Sequence, residues 1–597
     1  MSRGFLVKGL ATALLTAASA ALLFSQNGAS RNSEADDLVL KAMRDEMDRS
    51  RQLKVVSGGD PPYFISYGLT EADTYRTAAQ LGAVILASRN RFRSPSIEVR
   101  VGSYEFDHTG HIFSGAFTGS RFDSDAWPLD DLYGPLREAL WLSTDRAFKA
   151  GLESIGRKRG ALNNAAPSTE KLADYSPAPA VKSLQKINPK KVDEARWSAM
   201  AARLSAAFQG LPEIQNSSVD VQVLEGVTYL LNSEGATLRY PDSLGTVTAK
   251  VEGQAPDGMF VRDAVSFQSL EIDKLPAEAD LRKGMTGIAD NLRALLQAPA
   301  GEAFSGPVLF EPQAAAQLLA QLLGDNLRFP RKPLAEPGRP VSFLPSELET
   351  KLGSRILPDW IDVVDDPKQT SWKGQPLVGF YEFDLEGVPA QTVSVIEKGV
   401  LKNILTTRQP VKGFNASNGH ARLPGSYGAR SAAISNLFIK ASQTTPLAKL
   451  RQQMMDLCKQ RGKSYGMLVR KLNYPFSAGG GDLQSLAQGS QQSGGSVRPV
   501  SPPVLIYRVY ADGREELVRG LRFRGLSTRM LRDVLGASEE TALFEYINNA
   551  APLALLGAGG FLAPTSVISP ALLFEEMELE LPQEQLPKRP LVSPPGS

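Results

Sequence analysis

Among 597 residues there are one cysteine and three histidines. A single cysteine excludes an intramolecular disulfide, and so few thiols and imidazoles leave little material for a soft-metal site. An excess of one charge sign is also missing. The 66 basic and 64 acidic side chains give a net charge of +2, which removes the electrostatic footprint of a nucleic-acid binder. Beyond residue 25 no apolar run is long enough to span a bilayer; Ala551 to Leu562 is short, with Pro552 and Pro564 at its ends. Several catalytic signatures are absent as well: the dinucleotide-binding and phosphate-binding glycine loops, a helical H-E-x-x-H, and a G-x-S-x-G elbow. What remains is ordinary globular composition, 42% hydrophobic and 22% charged, in a chain long enough for more than one domain.

The first 25 residues read as an address. Arg3 and Lys8 open an uncharged, Ala- and Leu-rich stretch ending near Ala18-Ser19-Ala20, a small-x-small cleavage pattern. A cleavable export signal is expected over residues 1–25, with an uncleaved anchor as the alternative. The mature protein is then expected to be exported, in the periplasm if the source is Gram-negative, and off the membrane once the signal is cut.

Helical periodicity appears at 36–52, 130–152, 197–208, 279–296, 312–323 and 447–461. Alternating or β-branched stretches predict strands at 96–102, 219–223, 227–231, 236–240, 247–251, 377–383, 391–397, 400–406, 504–510 and 516–523. Residues 163–191 read as a linker, 476–503 as a flexible Gly/Ser/Gln loop and 582–597 as a disordered proline-rich tail. Helices and antiparallel strands intermix without a βαβ rhythm, so the fold class is α+β. An N-terminal and central region over 36–300 is expected to precede a β-rich domain over 306–581.

Few residues advertise chemistry. Asp107, His108 and His111 could hold a metal, but Thr109 and Gly110 favour a solvated turn. Cys458, among Met454, Met455 and Leu457, reads as a small core residue. Gly479 to Gly481 reads as flexible chain rather than an anion cradle.

An ordered set of segments is more informative. Asp384-Leu385-Glu386-Gly387 is followed by Lys398-Gly399-Val400-Leu401, then Asn418-Gly419-His420-Ala421-Arg422 and Ser435-Asn436-Leu437. Gly306 to Pro312 leads into a helix, and Val567 to Phe574 closes the set. In order and spacing this resembles the TldD/PmbA family of metallopeptidase-related proteins, from about Asp36 to Leu581 and most strongly from Gly306 onward.

The resemblance implies a zinc helix, H-E-x-x-x-H, in the peptidase branch, with a later cysteine completing the ligands. In this sequence those three positions fall on Glu311, Pro312 and Ala316, and Pro and Ala supply no ligand or base. The resemblance is therefore to the PmbA-like branch. It implies a zinc-free pseudo-peptidase that needs no cofactor of its own, pairs with a zinc-bearing TldD-like subunit or with itself, and supports peptide proteolysis. Asp384, Glu386, Asn418, His420 and Arg422 become candidates for lining a peptide cleft; otherwise the two carboxylates cap the turn at Gly387. Two other functions stay open: a hydrolase with a non-standard site at His420, Asp384 and Glu386, and a periplasmic binding or scaffold protein.

Overall fold

The computed structural model describes residues 33–53, 60–112, 127–163, 171–188, 190–324, 326–335, 341, 343, 345–425, 428–473, 500–548, 563–582 and 586. The expected leader, the Gly479–Gly481 segment with most of the 476–503 loop, the Ala551–Leu562 run and nearly all of the 582–597 tail lie outside the described residues.

The N-terminal region is built on a six-stranded sheet. Helix α1 (Leu38–Ser50) precedes a long hairpin, β1 (Pro62–Gln80) and β2 (Ala83–Val101). Helix α2 (Tyr133–Asn163), strand β3 (Lys182–Leu184) and helix α3 (Glu194–Ser205) follow. Strands β4 (Asn216–Asn232), β5 (Thr237–Gln254) and β6 (Phe260–Ser269) then lead into helix α4 (Glu278–Gln297). The order is β2-β1-β4-β5, with β3 and β6 both paired along the far side of β5.

Alternation along β4 dictates the packing. Val219, Val221 and Val223 face Trp197 and Met200 of α3 and Leu281, Met285 and Ile288 of α4. Further along the same face, Val227, Tyr229 and Leu231 meet Leu40 and Met43 of α1 and Leu136 and Leu140 of α2. Two helix pairs thus cover one sheet face.

The sequence pattern cut these strands too short. Residues 219–223 and 227–231 are one strand, as are 236–240 and 247–251. Gly226 falls in the gap between the expected strands 219–223 and 227–231, yet it sits mid-strand between β1 and β5. A Cβ there would lie 2.7 Å from the Glu71 carbonyl oxygen and 3.0 Å from that of Asp242, so glycine is required by close approach rather than by a turn. The described part of 163–191 is not loose either: β3 joins the sheet, and Asp174, Tyr175 and Ser176 are buried.

The C-terminal region is an eleven-stranded sheet. It begins with β7 (Phe304–Phe310), α5 (Pro312–Leu322), β8 (Ile361–Asp365), β9 (Val393–Glu397) and β10 (Val400–Leu401). It continues with β11 (Asn436–Ala441), α6 (Leu447–Gln460), β12 (Tyr465–Leu472), β13 (Pro503–Tyr510), β14 (Glu515–Val518), β15 (Arg522–Arg524), β16 (Val534–Asn548) and β17 (Ala563–Glu580). The main path is β10-β9-β8-β11-β17-β7-β12-β13-β14, and β15 and β16 also pair with β17.

Strand β7 is central, between β17 and β12, and Val308, Leu309 and Phe310 are all fully buried. Val308 and Phe310 pack into the cluster that holds α5, while Leu309 packs with Leu450, Met454 and Cys458 of α6. One helix therefore covers each face of the sheet at this strand. The α+β class holds. Two expected strands do not: 377–383 runs as irregular chain, and 516–523 divides into β14, paired with β13, and β15, paired with β17. Of 400–406 only Val400–Leu401 is strand.

Candidate functional site

The junction between β7 and α5 is fixed by the sequence itself. A fully apolar strand is stopped by Glu311, and Pro312 occupies the first helical turn, where its missing N–H costs nothing. Of the three positions implied for a zinc motif, Glu311 is held by two guanidinium groups, Arg451 at 2.5 Å and Arg470 at 3.2 Å. Both arginines also grip Glu515, closing a four-membered ion network. Ala316 is fully buried in the apolar cluster beneath the sheet.

The five cleft candidates come together, but four of them are buried in the protein and Asn418 is half-buried. Asp384 Oδ1 accepts the N–H groups of Glu386 and Val388, each at 2.9 Å, and Oδ2 accepts that of Ala421 at 3.0 Å. This is a cap on the turn at Gly387, whose φ is +75°. Glu386 Oε2 accepts the Arg408 N–H at 2.7 Å. Asn418 bonds the backbone of Ile404 and Thr406, and His420 spans Asn418 and Asp365, with 3.0 Å from Nε2 to Asp365 Oδ1. Arg422 donates to the carbonyls of Ile434 and Pro564 and lies over the Tyr381 ring.

His420 is 0% exposed, Asp384 2% and Glu386 8%. Burial pushes the carboxyls of Asp384 and Glu386 upward, and Glu386 adds to the shift on Asp384. Asp365 also takes the N–H and hydroxyl of Ser435, so the carboxylate lies between histidine and serine and no nucleophile–base contact forms. The expectation that these five residues line a peptide cleft is corrected: they form a polar knot under the strands, in which backbone groups and the Asp365 side chain take up their hydrogen bonds.

Asp107 and His111 are also interior rather than parts of a solvated turn, and His108 between them is half-buried. Asp107 is bound by Arg100 at 2.7 Å and by Tyr63 and Thr109. Burial depresses His108 to about 4.

The open concavity lies elsewhere, between the two sheets, with a volume of about 770 Å³. Its walls are β6 from Asp263 to Ser269, the chain at 375–378, the end of β12 and residues 543–545 of β16. Its α5 wall consists of Gln313 and Gln317, one turn apart on the same helix that carries the degenerate motif. Gln317 exchanges two hydrogen bonds with the Leu472 backbone. Lys471 is tied to Asp263 at 2.5 Å and to the Ala264 carbonyl at 2.7 Å. Burial raises Glu545 to about 7. Sequence reasoning missed all of these except the helix. Gln313 and Gln317 at i, i+4 next to Pro312 were the only local signal.

A zinc ion of the peptidase branch does not fit the residues present. Glu311 is already neutralised by arginine, Ala316 has no donor atom, and the Cys458 thiol is buried against Leu450 and Met454 and pushed up to about 11. Among the described residues no three of His, Cys, Asp and Glu gather as a metal site.

Two packed sheets with an inter-sheet cleft floored by the β7–α5 helix define a metallopeptidase-like α+β protein: residues 304–502 match the model of the PmbA/TldA metallopeptidase C-terminal domain. That match spans a third of the chain, and together with the fold it supports a place in the TldD/PmbA family. A metalloprotease of Archaeoglobus fulgidus is 33% identical over 78 residues, which are 13% of this chain and 17% of that protein's length. The fold is shared more widely. A protein described as a modulator of DNA gyrase, from Thermotoga maritima, superposes with a TM-score of 0.55 at 12% identity, covering 90% of this chain and 99% of that one. TldE of Thermococcus kodakarensis gives 0.52 at 13% identity, with 90% and 99% covered. A DNA gyrase modulator-like protein of Bacteroides thetaiotaomicron gives 0.53 at 14%, with 91% and 98% covered.

Proposed function

We propose that this chain is a zinc-free member of its family, exported, that holds peptide in the inter-sheet cleft while a zinc-bearing TldD-like subunit performs the hydrolysis. The carrying observation is the β7–α5 junction. Where the peptidase branch needs two imidazoles and a general base, this chain has a carboxylate locked by Arg451 and Arg470, a proline at the helix start and a buried alanine. The cleft supports the peptide part of the reading. It is long, walled by apolar side chains such as Leu377, Val378 and Phe544, and floored by the same helix. A hydrolase centred on His420, Asp384 and Glu386 gains no support, since a reacting group must reach its substrate and these side chains are enclosed.

The test is purification of the full chain from its native host, with metal analysis and identification of whatever copurifies. The expected result is substoichiometric zinc and a second family member carrying H-E-x-x-x-H. One zinc per chain, or a lone chain that cleaves peptides, would overturn the reading.

A further inference from the structure

The charges lining the cleft cancel in pairs, with one exception. Asp263 is matched by Lys471 at 2.5 Å. Glu271 is matched by Lys274 at 2.5 Å and Lys190 at 3.4 Å, and Asp280 by Lys283 at 2.8 Å. Glu545 has no cation within ion-pair distance among the described residues. Its Oε1 accepts the Val378 N–H and the Ser566 hydroxyl, both at 3.2 Å, and no described donor reaches Oε2. Beside it Gln268, only 7% exposed, donates its amide N–H to Ser266 and to the Glu545 carbonyl, each at 3.3 Å, and leaves Oε1 without a partner. Among the described residues, the groups around Glu545 are Gln313 and Gln317 from α5, Ser566 from β17 and the backbone at 376–378, all uncharged. Farther along the strand that carries Glu545, the Thr541 hydroxyl takes a hydrogen bond from the Lys373 ammonium at 3.0 Å.

An unneutralised carboxylate and an orphaned amide oxygen, set in an apolar wall made by Leu377, Leu543 and Phe544, form a receptor for an apolar stem with a positive tip. We propose that the Glu545 end of the cleft is a cation-recognition subsite that takes the ammonium or guanidinium of a lysine or arginine side chain in a bound peptide. The inference rests on the peptide reading above and adds a specificity to it. A lysine or arginine stem has the required length of methylenes, and its head supplies the donors that Oε2 and the Gln268 amide lack. The two cations that line the cleft, Lys274 and Lys471, are each already committed to a carboxylate. The charge at Glu545 is carried only when the group has given up its proton, so recognition strengthens as pH rises through about 7.

The experiment measures binding of two capped, otherwise neutral peptides to the full chain, one with a single lysine and one with norleucine in its place. At pH 8 the lysine peptide is expected to bind roughly tenfold or more tightly. That preference should shrink toward pH 6 and vanish in Glu545→Gln, which keeps an oxygen for Val378 and Ser566 and is expected to fold. Equal affinity for the two peptides would overturn the subsite while leaving the peptide reading intact. Binding of butylammonium that Glu545→Gln abolishes, with neither peptide bound, would keep the subsite and overturn the peptide reading. Absence of binding by peptides and by butylammonium would overturn both.

Discussion

The knot around Asp384 and the cleft at Glu545 both bury carboxyl groups, and they differ in what surrounds them. In the knot, every carboxylate oxygen of Asp384 meets a backbone N–H, and Asp365 is shared between His420 and Ser435. At Glu545, which lines the cleft, one oxygen is served and the other has no donor among the described residues. Buried polar groups with complete partners specify structure, whereas an incomplete one at a cavity marks a place for a ligand. Proximity of conspicuous residue types pointed to the knot, and partner accounting points to the cleft.

The comparison breaks most sharply at Asp384. Replacement by alanine strands three buried N–H groups, on Glu386, Val388 and Ala421. At ~1–3 kcal/mol for each unsatisfied group the expected loss is about 3–9 kcal/mol, measured by urea unfolding. Asp384→Asn keeps an acceptor oxygen and is expected to lose less. Unchanged stability in Asp384→Ala would mean that the knot is not structural.

Glu545→Gln is expected to act in the opposite direction. The folded-state carboxyl sits at about 7, above its ordinary value, because burial disfavours the charge. Below the ordinary carboxylate range the group is protonated whether folded or unfolded, and it costs nothing. As pH rises toward and past 7, the unfolded chain releases the proton first and stability falls. The variant removes that penalty, so it should match the parent near pH 4 and exceed it by on the order of 2–3 kcal/mol at pH 8. A variant less stable than the parent at pH 8 would place a hidden cation beside Glu545 and erase the contrast between the two regions.

Much of this architecture was legible in sequence and the cleft was not, for physical reasons. Helical periodicity located α3, α4, α5 and α6 to within a few residues, because an amphipathic face is a local property. Strand limits failed at Gly226, since a glycine demanded by neighbouring strands and one demanded by a turn look alike along the chain. The zinc-motif positions Glu311, Pro312 and Ala316 followed from the family resemblance, but the arginine clamp on Glu311 required Arg451 and Arg470 from distant elements. The cleft gathers Asp263, Gln317, Lys471 and Glu545 from four parts of the fold. No spacing announces such a set, and the unpaired state of Glu545 is visible only once the partners of Asp263, Glu271 and Asp280 in the same cleft are known.

The smallest expected effect is at Cys458, where burial involves no polar partner of the kind that separates knot from cleft. Its sulfur packs with Met454 against Gly466, a Cβ at that glycine lying 3.0 Å from Sγ. Cys458→Ala removes one buried atom from a tight apolar contact and should cost about 1 kcal/mol. Cys458→Ser substitutes a hydroxyl, which is costlier to bury without a partner. Because burial pushes the thiol up to about 11, little thiolate forms at neutral pH, and alkylation in the native state should proceed no faster than local opening exposes the residue. Rapid labelling of the folded protein would move Cys458 from the packed interior into a reactive site.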